Sequence, residues 1–210
     1  MRSAWALVRW AVTFELRLYV SLGRWLLRRP ASGTPTEQPV GYAKAVTPVM
    51  WLWIFGSALE VPLVHVLIPW DAVRITALAL SVWGLLWMVG FLASLQVYPH
   101  LLGAAGIRLR NGPSTWVSVP WDAVESVVAR RTDLPSSMRT LQDETRGDAA
   151  VLHVAVSGTT NVQLRLIAPT RIATSRGPTE VIGVAFMADE PRDVVEEIGR
   201  RMVVAGRRQE

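Results

Sequence analysis

The chain has 210 residues, half of them hydrophobic, with ten Trp, no Cys and a formal net charge of +5 at pH 7. This length suits one or two small units, and the lack of Cys excludes disulfides, thiolate catalysis and Cys-ligated zinc. The positive charge belongs to the N-terminal segment: residues 1–45 carry seven Lys or Arg against two Glu, whereas residues 98–210 carry fourteen Arg against thirteen acidic residues. A nearly neutral C-terminal half argues against a nucleic-acid surface.

The first predicted element is an amphipathic helix over residues 3–29, which makes 1–29 a basic segment with Arg side chains on one face and apolar side chains opposite. Glu15 is the exception, because it lies in the apolar sector. Such a helix favours the plane of the lipid headgroups. Two alternatives stay open: packing on the rest of the protein and crossing the bilayer. No cleavable signal peptide is predicted, because Arg9, Glu15 and Arg17 interrupt the apolar stretch.

Two long apolar segments give the strongest signal in the chain. Pro30 ends the first helix, and the Pro-, Gly-, Ser- and Thr-rich residues 30–45 are predicted to be a flexible linker. Residues 46–68 and 73–95 follow, each 23 residues long with a single charge. At 1.5 Å per residue each spans about 34 Å, enough to cross a hydrocarbon core. Their short connection predicts a transmembrane hairpin over 46–97.

A carboxylate stands inside the first of these segments. Glu60 would cost a few kcal/mol in hydrocarbon unless it is paired or protonated, so it is a functional candidate by default. Ser81 is expected at a similar depth in the returning helix, where it could hydrogen-bond Glu60. We expect Glu60 to be structural glue between helices or, alternatively, a group that couples to protons or substrate. In the alternative of proton or substrate coupling, Arg74, near the turn, would act together with Glu60.

Residues 98–204 change to the alternating pattern of β-strands. Ile107–Arg110 alternate before an Asn-Gly turn, and further strands are predicted at 116–119, 152–156, 162–166 and 180–187. An amphipathic helix closes the domain, and residues 205–210 form a tail. The segment Arg131–Asp148 is predicted to be a polar loop.

This pattern resembles the bacterial pleckstrin-homology-like domains of small membrane proteins. Three stretches carry the resemblance: GIRLRNG…TWVSVPWDAVESVVAR (106–130), VAVSGTTNVQLRLIAP (154–169) and MADEPRDVVEEIGRRM (187–202). The resemblance implies a membrane α + β protein, whose C-terminal part is a β-barrel or sandwich of about seven strands capped by a helix. It implies no catalytic residues. The loop Gly103–Gly106 lacks the basic residues by which related phosphoinositide binders hold their ligand.

The sequence offers no recognisable catalytic or metal site. His65, His100 and His153 are far apart, and none has a partner at metal-ligand spacing, so structural roles are expected. No nucleophile or phosphate-loop motif is present. We therefore expect no enzyme activity and no cofactor.

Arg residues are predicted to gather at one edge of the β domain. If antiparallel strands return the chain to the membrane at every even-numbered strand, the Asn-Gly turn and the long polar loop share that edge. It would carry Arg110, Arg130, Arg131, Arg139 and Arg146. Arg pairs well with phosphate, so anionic lipid headgroups are the expected ligand. The alternative is a set of solvated charges balanced by neighbouring acids.

The positive-inside rule places both termini in the cytoplasm and residues 69–72 outside, in a bacterial inner or plasma membrane. The expected function is recognition or scaffolding at the membrane, in which the domain docks a protein partner or anionic lipid; homo-oligomers are possible and nucleic acid is not expected. An accessory subunit of a transport or export complex using Glu60 is the alternative, and a membrane enzyme is the weakest interpretation.

Overall fold

The computed structural model describes residues 4–206 except 32, 33, 35, 137, 138, 147 and 148. The helices in this part of the chain are α1 Ala4–Leu26, α2 Thr47–Leu67, α3 Asp71–Val97 and α4 Pro191–Gly206. The strands are β1 Gln38–Val40, β2 His100–Leu102, β3 Gly106–Asn111, β4 Thr115–Pro120, β5 Val124–Asp133, β6 Leu141–Arg146, β7 Ala149–Val154, β8 Thr159–Thr174 and β9 Thr179–Phe186. A 3₁₀ turn, Trp121–Ala123, joins β4 to β5.

The chain forms two compact units. The helical unit comprises Met1–Arg29 and Lys44–Val97, and the β unit comprises Pro30–Ala43 and Tyr98–Glu210. Each unit therefore consists of two segments, and segments of the two units alternate along the sequence.

In the described part of the chain, α2 and α3 are the two helices long and apolar enough to cross a membrane. They agree with the predicted spans 46–68 and 73–95, and they pack on each other. Only 6% and 11% of their apolar windows are buried within the protein. The core helix of a water-soluble domain would be mostly covered, so these surfaces need hydrocarbon or another protein.

Helix α1 packs on α3. The carbonyl oxygen of Leu18 lies 3.4 Å from the point where a Cβ on Gly90 would stand, so the two backbones approach closely at that glycine. The Trp25 indole donates to Gln96 Oε1 at 2.8 Å. The helix ends where Arg28 adopts a left-handed conformation with φ 52°. Of the three placements left open for α1, packing on the protein is therefore the one that the structure shows directly.

The predicted flexible linker over 30–45 is wrong for its second half. Residues 38–40 form β1, which pairs antiparallel with β2. Pro39 is tolerated because β1 is an edge strand, and the outer side of an edge strand has no neighbour that needs an N–H donor. Tyr42 is fully buried, and its hydroxyl accepts the N–H of Gly112 at 2.9 Å. Sequence periodicity missed this strand because it has only three residues.

The β unit is a mixed, nine-stranded sheet in the order β1-β2-β3-β4-β8-β9-β7-β6, with β5 on β8. The long strand β8 turns a corner. Its first part pairs with β5 and its last residues with β4, and the register with β9 shifts between Arg165 and Thr170. Pro169 lies within this irregular stretch, where a missing N–H is harmless.

Two details of the sheet differ from the sequence prediction of about seven strands and a polar loop at Arg131–Asp148. Residues 141–146 of that loop form β6, which pairs with β7. Strands β7 and β8 are neighbours in sequence but not in the sheet, because β9 lies between them, parallel to β7 and antiparallel to β8. Gly183 of β9 permits this, since a Cβ there would stand 2.9 Å from the Leu164 carbonyl oxygen.

The core of the β unit is built from the predicted alternating apolar residues. Residues of β3, β4 and the two ends of β8 are buried at every second position, whereas the last four residues of β9 are all buried. Ile198 of α4 is fully buried in the same core. Val195 and Met202 flank Ile198 on the same helix face and pack on this core, as the helical spacing predicted.

Candidate functional site

Two of the predicted Arg positions, Arg110 and Arg139, stand next to residues that are hydrogen-bonded to one turn of the β unit. The side chain of Asn111, beside Arg110, donates to the Ala155 carbonyl at 2.9 Å. At the end of β5, Leu134 N donates to Gly158 O, and Ala155 N donates to Thr140 O, next to Arg139. The ends of β3 and β5 and the start of β6 therefore meet at the turn 155–158.

Arg110 is tied into the fold. Its Nη1 donates to the Ala31 carbonyl at 2.6 Å, and the side chain is half-buried. Burial lowers the pKa of the Arg110 guanidinium below its ordinary value, with the neighbouring charge of Arg108 acting in the same direction. Its guanidinium is therefore partly committed to holding the segment before β1.

Arg130 and Arg131 stand in a β-bulge. Between the pairs Ala129↔Val162 and Thr132↔Thr160, β5 has one residue more than β8. Both Arg side chains are exposed. Arg131 Nε lies 3.4 Å from Asp133 Oδ1, and both of these side chains are more than 70% exposed, so the pair is weak. A bulge re-aims side chains at a sheet edge, which here presents two cations to solvent.

Arg139 and Arg146 lie at opposite ends of β6. Arg139 precedes the strand and is exposed, whereas Arg146 is its last residue and pairs with Ala149. Leu141–Arg146 has six residues, and the five steps between them separate the two ends of β6 by about 17 Å. The structure thus does not bring Arg146 to the turn 155–158, because the predicted loop is a hairpin; the Arg146 side chain lies outside the described atoms.

Acidic side chains accompany this edge. A cavity of about 720 Å³ lies between the end of β5 and β6, and it is lined by Asp133, Asp143 and Glu144 together with Arg139 and Arg176. Arg176 Nη2 is held by the Leu141 carbonyl at 3.1 Å. Within the cavity the charges nearly balance, so the cationic surface is confined to the bulge beside it.

The predicted polar pair lines one groove of the helical unit. Glu60 and Ser81 contribute to an open groove of about 520 Å³ between α2 and α3, with Ser57 and Trp83. Among the residues described, no hydrogen bond joins Glu60 to Ser81, and Glu60 is exposed. Glu60 and Ser81 thus line the same groove, but the hydrogen bond that could join them is not formed. Trp83 also donates its N–H to Glu15 at 2.7 Å, which explains the acidic residue in the apolar sector of α1.

A cavity that the sequence did not predict lies beside α4. It measures about 750 Å³ and is lined by the loop 103–105, Trp121 and Asp122, and the helix residues Glu197, Arg200 and Arg201. The loop Gly103–Gly106 has no basic residue of its own, but α4 supplies two. Both are engaged: Glu197 accepts from Arg201 Nε at 2.7 Å and from Arg200 Nη2 at 2.9 Å. The Glu-to-Arg spacing of four on a helix was the available signal.

Two of the three histidines, His100 and His153, are buried in the β unit. His100 is fully buried; its Nε2 lies 2.8 Å from the Met187 carbonyl, and its Nδ1 accepts the N–H of Arg110 at 2.9 Å. His153 is buried with Nε2 3.1 Å from Glu144 Oε2. In the described residues, no group of three or more His, Asp or Glu could hold a metal ion.

Comparison with known proteins adds no relative to this picture. The chain matches no protein-family model, no curated protein and no solved structure.

Proposed function

We propose that the chain is a membrane-anchored recognition or scaffolding module without catalytic activity. In this proposal α2 and α3 cross a bacterial cell membrane, and the β unit is a pleckstrin-homology-like domain that docks partners at the cytoplasmic face. The supporting observation is the contrast between the units: α2 and α3 leave nearly all their apolar surface exposed, whereas the β unit closes around its own core. Apolar helix faces of this length fit hydrocarbon.

Strand pairing and charge support the proposed topology of the hairpin. Val40 of β1 pairs with His100 of β2, so the chain enters and leaves the hairpin on the same side, which requires an even number of crossings. Arg28, Arg29 and Lys44 stand before the hairpin, and the positive-inside rule assigns that side to the cytoplasm. Counted as a surface helix, α1 would put the N-terminus there too, giving two cytoplasmic termini.

Cysteine labelling tests this topology directly, because the chain has no Cys of its own. In intact cells an impermeant maleimide should label Asp71→Cys, in the external turn, and should miss Ser136→Cys in the β unit. Permeabilised cells should expose Ser136→Cys. The reverse pattern in intact cells would contradict the proposed topology.

Anionic lipid headgroups are the ligand that the described surface fits best. The bulge at Arg130 and Arg131 presents two consecutive Arg side chains, both exposed. A planar guanidinium can bind two phosphate oxygens, and each Arg near an anionic leaflet contributes about 1 kcal/mol at low salt. Asp133 pairs with Arg131 at 3.4 Å, but both side chains are more than 70% exposed, so the pair offsets the charge of the bulge only weakly.

Vesicle binding tests this ligand. The full chain, held in nanodiscs of neutral lipid, should bind anionic but not neutral vesicles, and salt should weaken the binding. Replacing Arg130 and Arg131 by Glu should weaken it by roughly thirtyfold, from about 1 kcal/mol for each Arg. The pair Arg171→Glu with Arg192→Glu makes the same charge change elsewhere and should retain binding. If the unmodified chain does not bind anionic vesicles at low salt, the docking partner is a protein instead.

A second candidate function is an accessory subunit of a transport or export complex. The observation that favours it is the exposed Glu60 carboxylate in a groove that also holds Ser57 and Ser81. Two or three helices are too few to form a transport path alone, so this function needs an oligomer or partner. Glu60→Gln should leave expression and thermal stability unchanged if Glu60 only joins helices, and Glu60→Lys should reduce both. Loss of a cellular phenotype in the Gln variant, with the fold intact, would favour proton or substrate coupling.

A further inference from the structure

Helix α1 has three distinct faces. One packs on α3 through Phe14, Leu18, Ser21, Leu22 and Trp25, which are buried or half-buried. The second carries Arg9, Thr13, Arg17 and Arg24. The third is apolar and open: Trp5, Val8, Val12, Leu16 and Leu26 are each more than half exposed. A helix that lay in the headgroup plane would need only two faces, one polar and one apolar.

The contacts between α1 and α3 occur in the same order along both helices. Glu15 meets Trp83, Leu18 meets Gly90, and Trp25 meets Gln96. From Glu15 to Trp25 this covers about 15 Å of helix axis at 1.5 Å per residue. Two helices that stay in contact over this length run nearly parallel, here in the same direction. A helix lying flat on the membrane would cross an upright α3 steeply and touch it at one place.

The negative charge in the middle of α1 is accommodated by this packing, and Arg17 stands two residues further on, on the second face. Glu15 Oε1 accepts the indole N–H of Trp83 at 2.7 Å and the hydroxyl of Tyr19 at 3.0 Å. Both donors are aromatic groups that tolerate an apolar setting with one polar end. The carboxylate therefore meets α3 within its apolar span, where an unpartnered charge would be excluded.

We infer that α1 is a third membrane-crossing helix, that its open apolar face contacts lipid acyl chains, and that the N-terminus lies on the side of the α2–α3 turn. The inference rests on the proposed insertion of α2 and α3. The open face of α1 then continues the lipid-facing surfaces of those helices. The topology inferred here differs from the one in which α1 lies on the membrane surface only in the side of the membrane on which the N-terminus lies.

The distribution of basic residues agrees with this orientation. Arg24, Arg28 and Arg29 stand at the end of α1 that leads into the β unit, and Arg2 alone precedes the helix. The cytoplasmic end thus carries the excess of positive charge, as the positive-inside rule requires. Arg9 is near the opposite end, where its long side chain reaches the headgroups by snorkelling.

A matched pair of cysteines on either side of α1 tests the inference in the full chain. In intact cells the impermeant maleimide should label Ser3→Cys to the same extent as Asp71→Cys. Thr34→Cys, after α1, should be labelled only once the cells are permeabilised. A surface helix would instead place positions 3 and 34 on the same side, so both would be protected in intact cells.

The outcomes separate the two proposals. If Asp71→Cys is labelled and Ser3→Cys is protected, α1 does not cross the bilayer and the inference is overturned while the hairpin stands. If Asp71→Cys is itself protected, the proposed hairpin is overturned and the inference with it. Labelling of Ser3→Cys and Asp71→Cys with protection of Thr34→Cys supports both.

Discussion

The ring of His100 is packed between two other rings at the start of the β unit. It stacks on Tyr42 with centroids 4.7 Å apart and meets the edge of Phe186 at 5.3 Å. Burial lowers the pKa of His100 from 6.5 to about 4. The neutral ring fits its surroundings, since one nitrogen donates to the Met187 carbonyl while the other accepts from Arg110. A charged ring would lose that acceptor and its hydration together.

Stability should therefore decrease in acid. The unfolded chain binds a proton at His100 near pH 6.5, whereas the folded chain keeps the ring neutral down to about pH 4. The stability that the neutral His100 ring contributes is fully present above pH 6.5. The free energy of unfolding should therefore fall by about 3 kcal/mol as the pH drops to 4. Denaturant unfolding of the full chain in detergent across this range measures the effect.

His100→Gln removes the titrating group and should lose this part of the pH dependence. His65→Gln is the matched control, because His65 is exposed on α2. A His100→Gln profile that falls as steeply as the original between pH 6.5 and 4 would show that another group is responsible.

At the scale of elements, Arg201 of α4 joins three parts of the β unit. Its Nη1 donates to the Leu102 carbonyl at 2.7 Å, its Nη2 to Gln38 Oε1 at 3.0 Å, and its Nε to Glu197 at 2.7 Å. The short strand β1 is thus held by a helix from the other end of the chain as well as by β2.

Arg201→Ala should destabilise the β unit by about 2 kcal/mol, because hydrogen bonds from a charged donor to partly buried acceptors are lost. Arg200→Ala is the control on the same helix; Arg200 is 67% exposed and pairs with Glu197 at the surface, so its loss should have little effect. Chemical unfolding of the two variants side by side measures the difference, and equal stabilities would contradict this role for Arg201.

The elements that the sequence predicted are those with a period. The apolar runs of α2 and α3 and the alternation in β3, β4 and β8 were readable because burial repeats along the segment. Strand β6, with the sequence LQDETR, has no such alternation, and it forms because β7 offers it an open edge. The insertion of β9 between β7 and β8 depends on pairing between distant segments, which no local pattern encodes.

The candidate site was predicted less well than the fold. Strand parity predicted one shared edge for Arg110, Arg130, Arg131, Arg139 and Arg146. Neighbours of Arg110 and Arg139 meet at the turn 155–158, whereas Arg146 ends β6 because the predicted loop is a hairpin. The contact of Arg110 with Ala31 could not be foreseen, since residue 31 was expected to belong to a linker. Whether the bulge binds headgroups stays a prediction.

At the scale of the whole molecule, two compact units should unfold separately. In detergent, denaturant should first remove the β-sheet signal while the helices stay folded, because micelles keep covering their apolar faces. Circular dichroism should then show two transitions, and Arg201→Ala should shift only the first. A single transition that Arg201→Ala shifts as a whole would show instead that the units are energetically coupled.

The pairing of β1 with β2 also sets an order of events in synthesis. Gln38–Val40 leaves the ribosome before α2 and α3, but its partner strand, His100–Leu102, leaves after them. Once the α2–α3 hairpin is inserted, its two ends lie close together, so the pairing of β1 with β2 closes only a short loop. Without insertion, the same pairing would have to close a long flexible loop. Failed insertion would leave Tyr42 unburied and β2 without its partner strand at that edge of the sheet.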